Sequence, residues 1–239
     1  METKSDIKID SVVIPGDNIS HICGVTNKSN VVLGPGLYTI KDKDDIIVNK
    51  CGILRRKKPD IYWVDTHYKR YVPVKGDHVI GIITGKAGDY FKVDIGCSEQ
   101  ASLYFLDFEG ATKKNRQHLN VGDAIYALCI IADKDLETQV SCMDANGKQG
   151  KMGLLKSDGF LFRCNLNLIR KITNPKCCIL NLLGKEINHE IAIGMNGRVW
   201  VRSNSIRSTV AIGNSILEAE HLTNDEIKVK CKEILKHFK

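Results

Sequence analysis

A chain of 239 residues with 43% apolar, 6% aromatic and 26% charged residues has the composition of packed globular domains, which excludes disorder as its default state. Its formal net charge of +7 is unevenly spread: residues 1 to 70 carry +3, residues 71 to 150 carry −3 and residues 151 to 239 carry +7. A polyanion is therefore drawn to the last third and to local basic clusters, because Lys and Arg that neutralise phosphates supply most sequence-independent affinity.

No apolar run is long enough to span a bilayer, and METKSDIKID has neither the apolar core nor the cleavage site of a signal peptide, so an intracellular protein is expected. The nine cysteines are scattered, odd in number and never in a C-x-x-C pair, which gives no zinc site and no disulfide framework and predicts reduced thiols packed as small hydrophobes.

The first segment carries short apolar runs, SVVIPG, NVVLGPG and DIIVNKCG, punctuated by Pro, Gly and Asn, as in a small β domain over residues 1 to 70. Arg55, Arg56, Lys57, Lys58 and Pro59 read as a solvated loop before the strand-like IYWVDTHYKRYVPV. From Gly76, GDHVIGIITGKAGDYFKVDIG places two apolar runs around a turn from Lys86 to Asp89, a long hairpin. ASLYFLDF, a basic loop TKKNRQH, VGDAIYALCIIADKD and ETQVSCMD follow, completing about five strands that suit a closed barrel of the OB type over residues 71 to 150.

Residues 151 to 239 open with DGFLFRCN as a strand, then NLNLIRKIT and KCCILNLLGKE as helices broken at Asn174-Pro175. INHEIAIGMNGRVWVRS alternates on both sides of Asn196-Gly197, and Asn-Gly is a strong hairpin signal because both residues tolerate positive φ. Ile206, Val210, Gly213 and Leu217 recur at helical spacing, with Ile212, Ile216 and Ala219 widening the apolar face. A capping box, Thr223-x-x-Glu226, starts a last helix carrying Ile227, Cys231, Ile234, Leu235 and Phe238 down one side. The fold class is thus multidomain β and α/β.

No catalytic motif is present: the seven histidines join no metal or nucleophile signature, and no phosphate loop or paired carboxylate stands out, so no enzyme, metal or cofactor is expected. RNA is the expected ligand. Lys113, Lys114 and Arg116 lie in the loop between the third and fourth barrel strands, where OB barrels commonly carry a positive rim, and Tyr90, Tyr104 and Phe105 are available for stacking.

RYVPVKGDHVIGIITGKAGDYFKVDIG, FEGATKKNR and GMNGRVWV, with VVIPGD and LGPGLY upstream, resemble the 40-kilodalton ribosomal-RNA-processing protein family, S1/KH cap subunits of the eukaryotic RNA exosome. The resemblance runs over nearly the whole chain. It implies an amino-terminal β domain, a five-stranded S1-type OB barrel and a KH-like domain. These would sit with other cap subunits on a ring of RNase-PH-like subunits, without catalytic activity and without membrane contact. It also implies stabilisation of that ring, guidance of RNA into its channel for 3′-to-5′ processing and degradation, and location in nucleus, nucleolus and cytoplasm. A free-standing S1/KH single-strand RNA binder is the alternative.

Two departures shape the expected site. Gly88, Lys92 and Tyr104 align where strongly binding S1 barrels present Phe, Phe and His, so Lys92 and Tyr104 join Lys113, Lys114 and Arg116 as expected RNA contacts, with electrostatics the main mechanism. KH domains grip nucleotides with a GXXG loop between two helices, yet the junction here is Ile172-Thr173-Asn174-Pro175-Lys176. The GxNG of Gly194, Asn196 and Gly197 lies between strands instead, which predicts a structural turn, with Trp200 as an aromatic anchor beside it.

Overall fold

The computed structural model describes residues 7–23, 31–40, 45–133 and 135–236. It divides into two compact units, residues 1–68 and 69–239.

In the first unit the order is β1 (Val12–Val13), α1 (Ser20–Cys23), β2 (Val32–Leu33), β3 (Leu37–Ile40), β4 (Asp45–Val48), β5 (Gly52–Lys57) and β6 (Ile61–Asp65). A four-stranded sheet runs β1-β5-β6-β2, and β3 pairs with β4 as a separate hairpin. Val13, Ile19, Ile46, Val48, Leu54, Tyr62 and Val64 form the core. The basic stretch at 55–58 departs from the loop expected for it: Arg55, Arg56 and Lys57 lie in β5, opposite Trp63, Tyr62 and Ile61 of β6. The strand tolerates them because it is half-exposed. Arg55 pairs with Asp10, while Arg56 pairs with Asp60 and lies 5.5 Å from the centre of the Tyr62 ring.

The second unit opens with β7 (His78–Ala87), β8 (Tyr90–Asp94), β9 (Ala101–Tyr104), β10 (Ala124–Ile131), β11 (Gln139–Ser141) and β12 (Gly153–Leu154). Gly88, at φ +58°, and Asp89 make the tight β7–β8 turn. The sheet closes because β11 pairs antiparallel with β10 and parallel with β9, leaving β12 outside on β10. Register shifts between Ile83 and Gly85 and between Cys129 and Ile131 bend the strands that must curve round. Val79, Ile83, Phe91, Val93, Leu103 and Ile125 fill the five-stranded barrel.

Then come β13 (Phe160–Arg163), α2 (Leu166–Thr173), α3 (Ile179–Glu186), β14 (His189–Ile193), β15 (Arg198–Ser203), α4 (Ile206–Glu218) and α5 (Asn224–Lys236). Their sheet, ordered β13-β15-β14, has two covered faces. Phe162, Val199 and Val201 pack on Leu168, Ile169, Ile212 and Ile216 of the helices, while Ala192 and Trp200 pack on Ile80 of the barrel. Helix α2 stops before Asn174-Pro175, and Ser205 caps α4 by accepting from the Ser208 N–H. Glu226 accepts from both the backbone and the hydroxyl of Thr223, so α5 begins at the expected capping box.

Helix α4 turns inward only part of the apolar face expected for it: Gly213 of the Ile206 row is buried along with the widening residues. Ile212, Ile216 and Ala219 are buried, whereas Ile206 is 85% exposed and Val210 and Leu217 are exposed too. The apolar arc is wider than the contact, and the sheet takes its Ile212 side. On α5, Ile227 and Cys231 are buried, and Ile234, Leu235 and Phe238 lie outside the described side chains.

Candidate nucleic-acid interface

Alternation along β8 turns Phe91 and Val93 into the barrel and leaves Tyr90, Lys92 and Asp94 on its outer face. Across from them on β9 stand Tyr104 opposite Tyr90 and Ser102 opposite Lys92. The two tyrosine rings lie 5.8 Å apart, and Tyr104 is 42% exposed. This outer face of the second and third strands, with its flanking loops, is where OB barrels take single strands.

At its upper end Asp89, Tyr104, Phe105, Leu106, Lys113 and Arg116 line a groove of about 230 Å³. The turn that presents the cations is built locally: Thr112 accepts from the Asn115 N–H, and Arg116 Nε donates to the Lys113 carbonyl. The Arg116 guanidinium sits 5.1 Å from the centre of the Phe105 ring and 3.6 Å from Asp89 Oδ1, with Lys86 Nζ 4.9 Å from the same ring. Both Arg116 and Asp89 are open to solvent, so the pair is loosely held and the cation is available to a ligand.

The structure therefore brings Lys113, Arg116 and Tyr104 into one groove and places Lys92 in the adjoining cleft, lined by Tyr90, Glu99, Gln100, Ala101, Ser102 and Glu137. Lys114 is exposed on the same loop but does not line the groove. Phe105 is not available for stacking: it is 3% exposed and packs edge-on against Phe91 in the core. Lys86 and Leu106 belong to the groove region without having been expected there. Lys86 looks like one of many strand-end lysines, and only the path of the 105–123 loop gives it a ring to lie over.

The Gly-Met-Asn-Gly turn has a different environment. Asn196 is 9% exposed, and its Nδ2 donates to the Ile80 and Ile95 carbonyls at 2.8 Å while its Oδ1 accepts from the Ile80 N–H at 3.2 Å. Met195 N–H donates to the His78 carbonyl. Gly194 has no room for a side chain, because a Cβ there would overlap Asn196 Oδ1 and the Ile80 nitrogen. Gly197 has φ +81°, and a Cβ there would meet the Cys164 carbonyl oxygen at 2.7 Å. Trp200 is 5% exposed, and its indole N–H donates to the Lys156 carbonyl. The Asn196 side chain and the Met195 N–H are thus spent on barrel backbone, and the Gly194 and Gly197 N–H groups on the hairpin itself.

Arg198, unremarked in the sequence, completes this seam. It is 2% exposed, donates to the Ile80 and Asp94 carbonyls at 3.2 and 2.5 Å, and pairs with Asp94 Oδ2 at 2.6 Å. Partial burial alone would raise the Asp94 pKa, but the Gly96 N–H and the guanidinium groups of Arg198 and Arg163 outweigh it and hold the carboxyl below its ordinary value. At the α2–α3 junction Asn174 Oδ1 accepts from the Lys176 N–H and Asn224 Nδ2 donates to the Lys176 carbonyl, while Lys171, in the last turn of α2, donates through Nζ to the carbonyls of Ala219, Glu220 and Leu222 and so caps the carboxy-terminal end of α4. Among the described residues no cluster of His, Cys, Asp or Glu has the arrangement of metal ligands. Burial pushes the Cys142 thiol up to about 12 and the Cys129 thiol up to about 11, so both stay protonated near neutral pH.

Comparison with known proteins agrees with this architecture. The family model for the S1 domain of exosome complex component RRP40 matches residues 71–153, a KH-domain model matches residues 159–207, and the model for the amino-terminal region of mammalian exosome complex component RRP40 matches residues 11–67. The chain is 49% identical to exosome complex component RRP40 of Mus musculus, over 86% of this chain and 76% of that one. It is 42% identical to the Drosophila melanogaster protein of that name, over 92% and 94%. A crystal structure described as an exosome complex RNA-binding protein shares the fold at a TM-score of 0.58 and 22% identity, covering 71% of this chain and 99% of that one. The chain belongs to the exosome complex component RRP40 family.

Proposed function

We propose that this chain is a non-catalytic cap subunit of an RNA exosome, which stabilises a ring of RNase-PH-like subunits and helps guide RNA into the channel for 3′-to-5′ processing and degradation. One observation carries the RNA part of the reading: the barrel's outer face presents Tyr104, Lys92, Lys113 and Arg116 to solvent, while the KH-like domain's Asn196 turn and the Asn174 and Lys176 backbone of its helix junction are engaged in internal bonds. Single-stranded RNA then meets the chain on the barrel, through phosphate attraction more than stacking. The assembly part rests on family membership. By the same analogy the protein resides in nucleus, nucleolus and cytoplasm, which imaging of a fluorescent fusion would check.

The test is affinity purification of the tagged full chain from its own cells, followed by ultraviolet crosslinking to RNA. Ring and cap subunits should co-purify, and Lys113→Ala/Lys114→Ala/Arg116→Ala should assemble normally with a reduced crosslink yield. A chain that purifies alone and binds RNA tightly by itself would favour a free-standing binder. Release of nucleotides by the pure chain from labelled RNA, with magnesium or phosphate, would overturn the non-catalytic reading.

A further inference from the structure

Arg163 lies at the end of β13, opposite Arg198 of β15, so the two guanidinium groups share one face of the KH-like sheet. Their surroundings differ sharply. The Arg198 side chain is 3% exposed and holds Asp94 Oδ2 at 2.6 Å, whereas that of Arg163 is 74% exposed and stands 4.0 Å from the same oxygen. One carboxylate thus serves two cations. The buried arginine takes the close contact, and the surplus positive charge rests on the exposed one.

Asp94 also locates Arg163 on the barrel. It is the last residue of β8 and follows Lys92 by two positions, so both point outward, about 7 Å apart along the strand. The exposed Arg163 therefore stands where the outward row Tyr90, Lys92, Asp94 ends. At the other end of that row Tyr90 packs on Tyr104, beside Lys113 and Arg116. Glu99 and Glu137 line the cleft beside Lys92 and repel a phosphodiester from that flank. The cations along that row are Lys86, Lys113, Lys114 and Arg116 at one end, Lys92 in the middle and Arg163 at the other.

We propose that Arg163 is a phosphodiester contact that carries the barrel's single-stranded RNA track across the seam onto the KH-like domain. This rests on the barrel reading of the previous subsection and extends it. The Asn196 and Arg198 bonds then acquire a second consequence, since they fix the sheet that bears Arg163 in register with Lys92. A KH-like domain with its usual gripping elements consumed would still touch RNA, through one arginine at its edge.

The experiment measures binding of fluorescent oligouridylates to the full chain by anisotropy across a salt series. One oligonucleotide of about 4 nucleotides and one of about 12 bracket the short and long ends of OB-fold site sizes. Arg163→Ala and Arg163→Gln should weaken the longer oligonucleotide about threefold at low salt and lower the slope of log K against log salt by about 0.7, the share of one single-strand phosphate. The shorter one should be unaffected, and thermal unfolding should be unchanged. Wild-type affinity and slope on the longer oligonucleotide in both variants would overturn the proposal. If Lys113→Ala/Lys114→Ala/Arg116→Ala loses affinity while the Arg163 variants do not, only the extension falls. If the triple variant also binds like wild type, the barrel reading falls with it.

Discussion

Arg116 and Arg198 each face an aspartate of the barrel, and the contrast between their two sites separates a cation left open to solvent from one that holds the molecule together. Arg116 meets Asp89 at 3.6 Å with both side chains open to water. A contact of that kind contributes little and exchanges readily for a phosphate. Arg198 meets Asp94 at 2.6 Å from a side chain only 3% exposed and also donates to two carbonyls. A buried cation satisfied in this way has nothing left to offer a ligand, and the cost of stranding it keeps the partner in place. The Gly-Met-Asn-Gly turn belongs with the second site despite its resemblance in composition to a nucleotide-gripping loop.

If that division holds, the seam should fail in stability and the groove in affinity. Trp200→Ala should be the most damaging change, about 3–4 kcal/mol by chemical denaturation, because it empties the space between sheet and barrel. Asn196→Ala should cost about 3 kcal/mol, since it strands the Ile80 N–H and the Ile95 carbonyl and leaves the Ile80 carbonyl to Arg198 alone. Asp94→Ala should cost about 2–3 kcal/mol, less than for a fully enclosed pair because Asp94 is 38% exposed. Gly197→Ala should cost about 2 kcal/mol through its positive φ and the approach to Cys164. A stable Trp200 or Asn196 variant that lost only RNA binding would break the comparison.

Acid supplies a subtler probe of the seam. The folded-state pKa of Asp94 is lowered, so its contribution is fully present above the ordinary value of 3.8 and is lost as pH falls through the lowered folded value. Thermal unfolding followed from about pH 5 to about pH 3 should show a loss of stability that Asp94→Asn diminishes. A variant with the same acid profile as wild type would remove Asp94 from the account.

The groove should respond in the opposite manner. Lys113→Ala/Lys114→Ala/Arg116→Ala should leave the melting temperature unchanged, weaken RNA binding about tenfold and lower the salt slope by about 2. Asp89→Asn should give the smallest effect, a gain in RNA affinity of about twofold, by removing the carboxylate that shares Arg116. Loss of stability in the triple variant would assign its cations to the fold instead.

Much of the architecture was legible in the chain because it rests on local rules. Alternation about Gly88 and about Asn196-Gly197 marked two hairpins, Pro175 marked a helix break, and Thr223 with Glu226 marked a helix start. The basic loop was equally plain as a run of charge. Periodicity could not choose among adjoining apolar arcs of α4, where the sheet takes Ile212 and leaves Ile206 in water. Nor could composition tell that Arg55 and Arg56 sit in a strand, since a half-exposed strand with acidic neighbours accommodates them as well as a loop does.

By itself, then, the sequence determined the order of the elements, their turns and caps, and where basic residues cluster, because each depends on neighbours a few residues away. Tertiary structure decided which charges remain free. Asn196 reaches Ile80 and Ile95 across about a hundred positions of chain, and Arg198 and Arg163 divide one Asp94 between a buried and an exposed claim. Availability for RNA is set by burial and by competing partners, and those exist only once barrel and KH-like sheet have packed together.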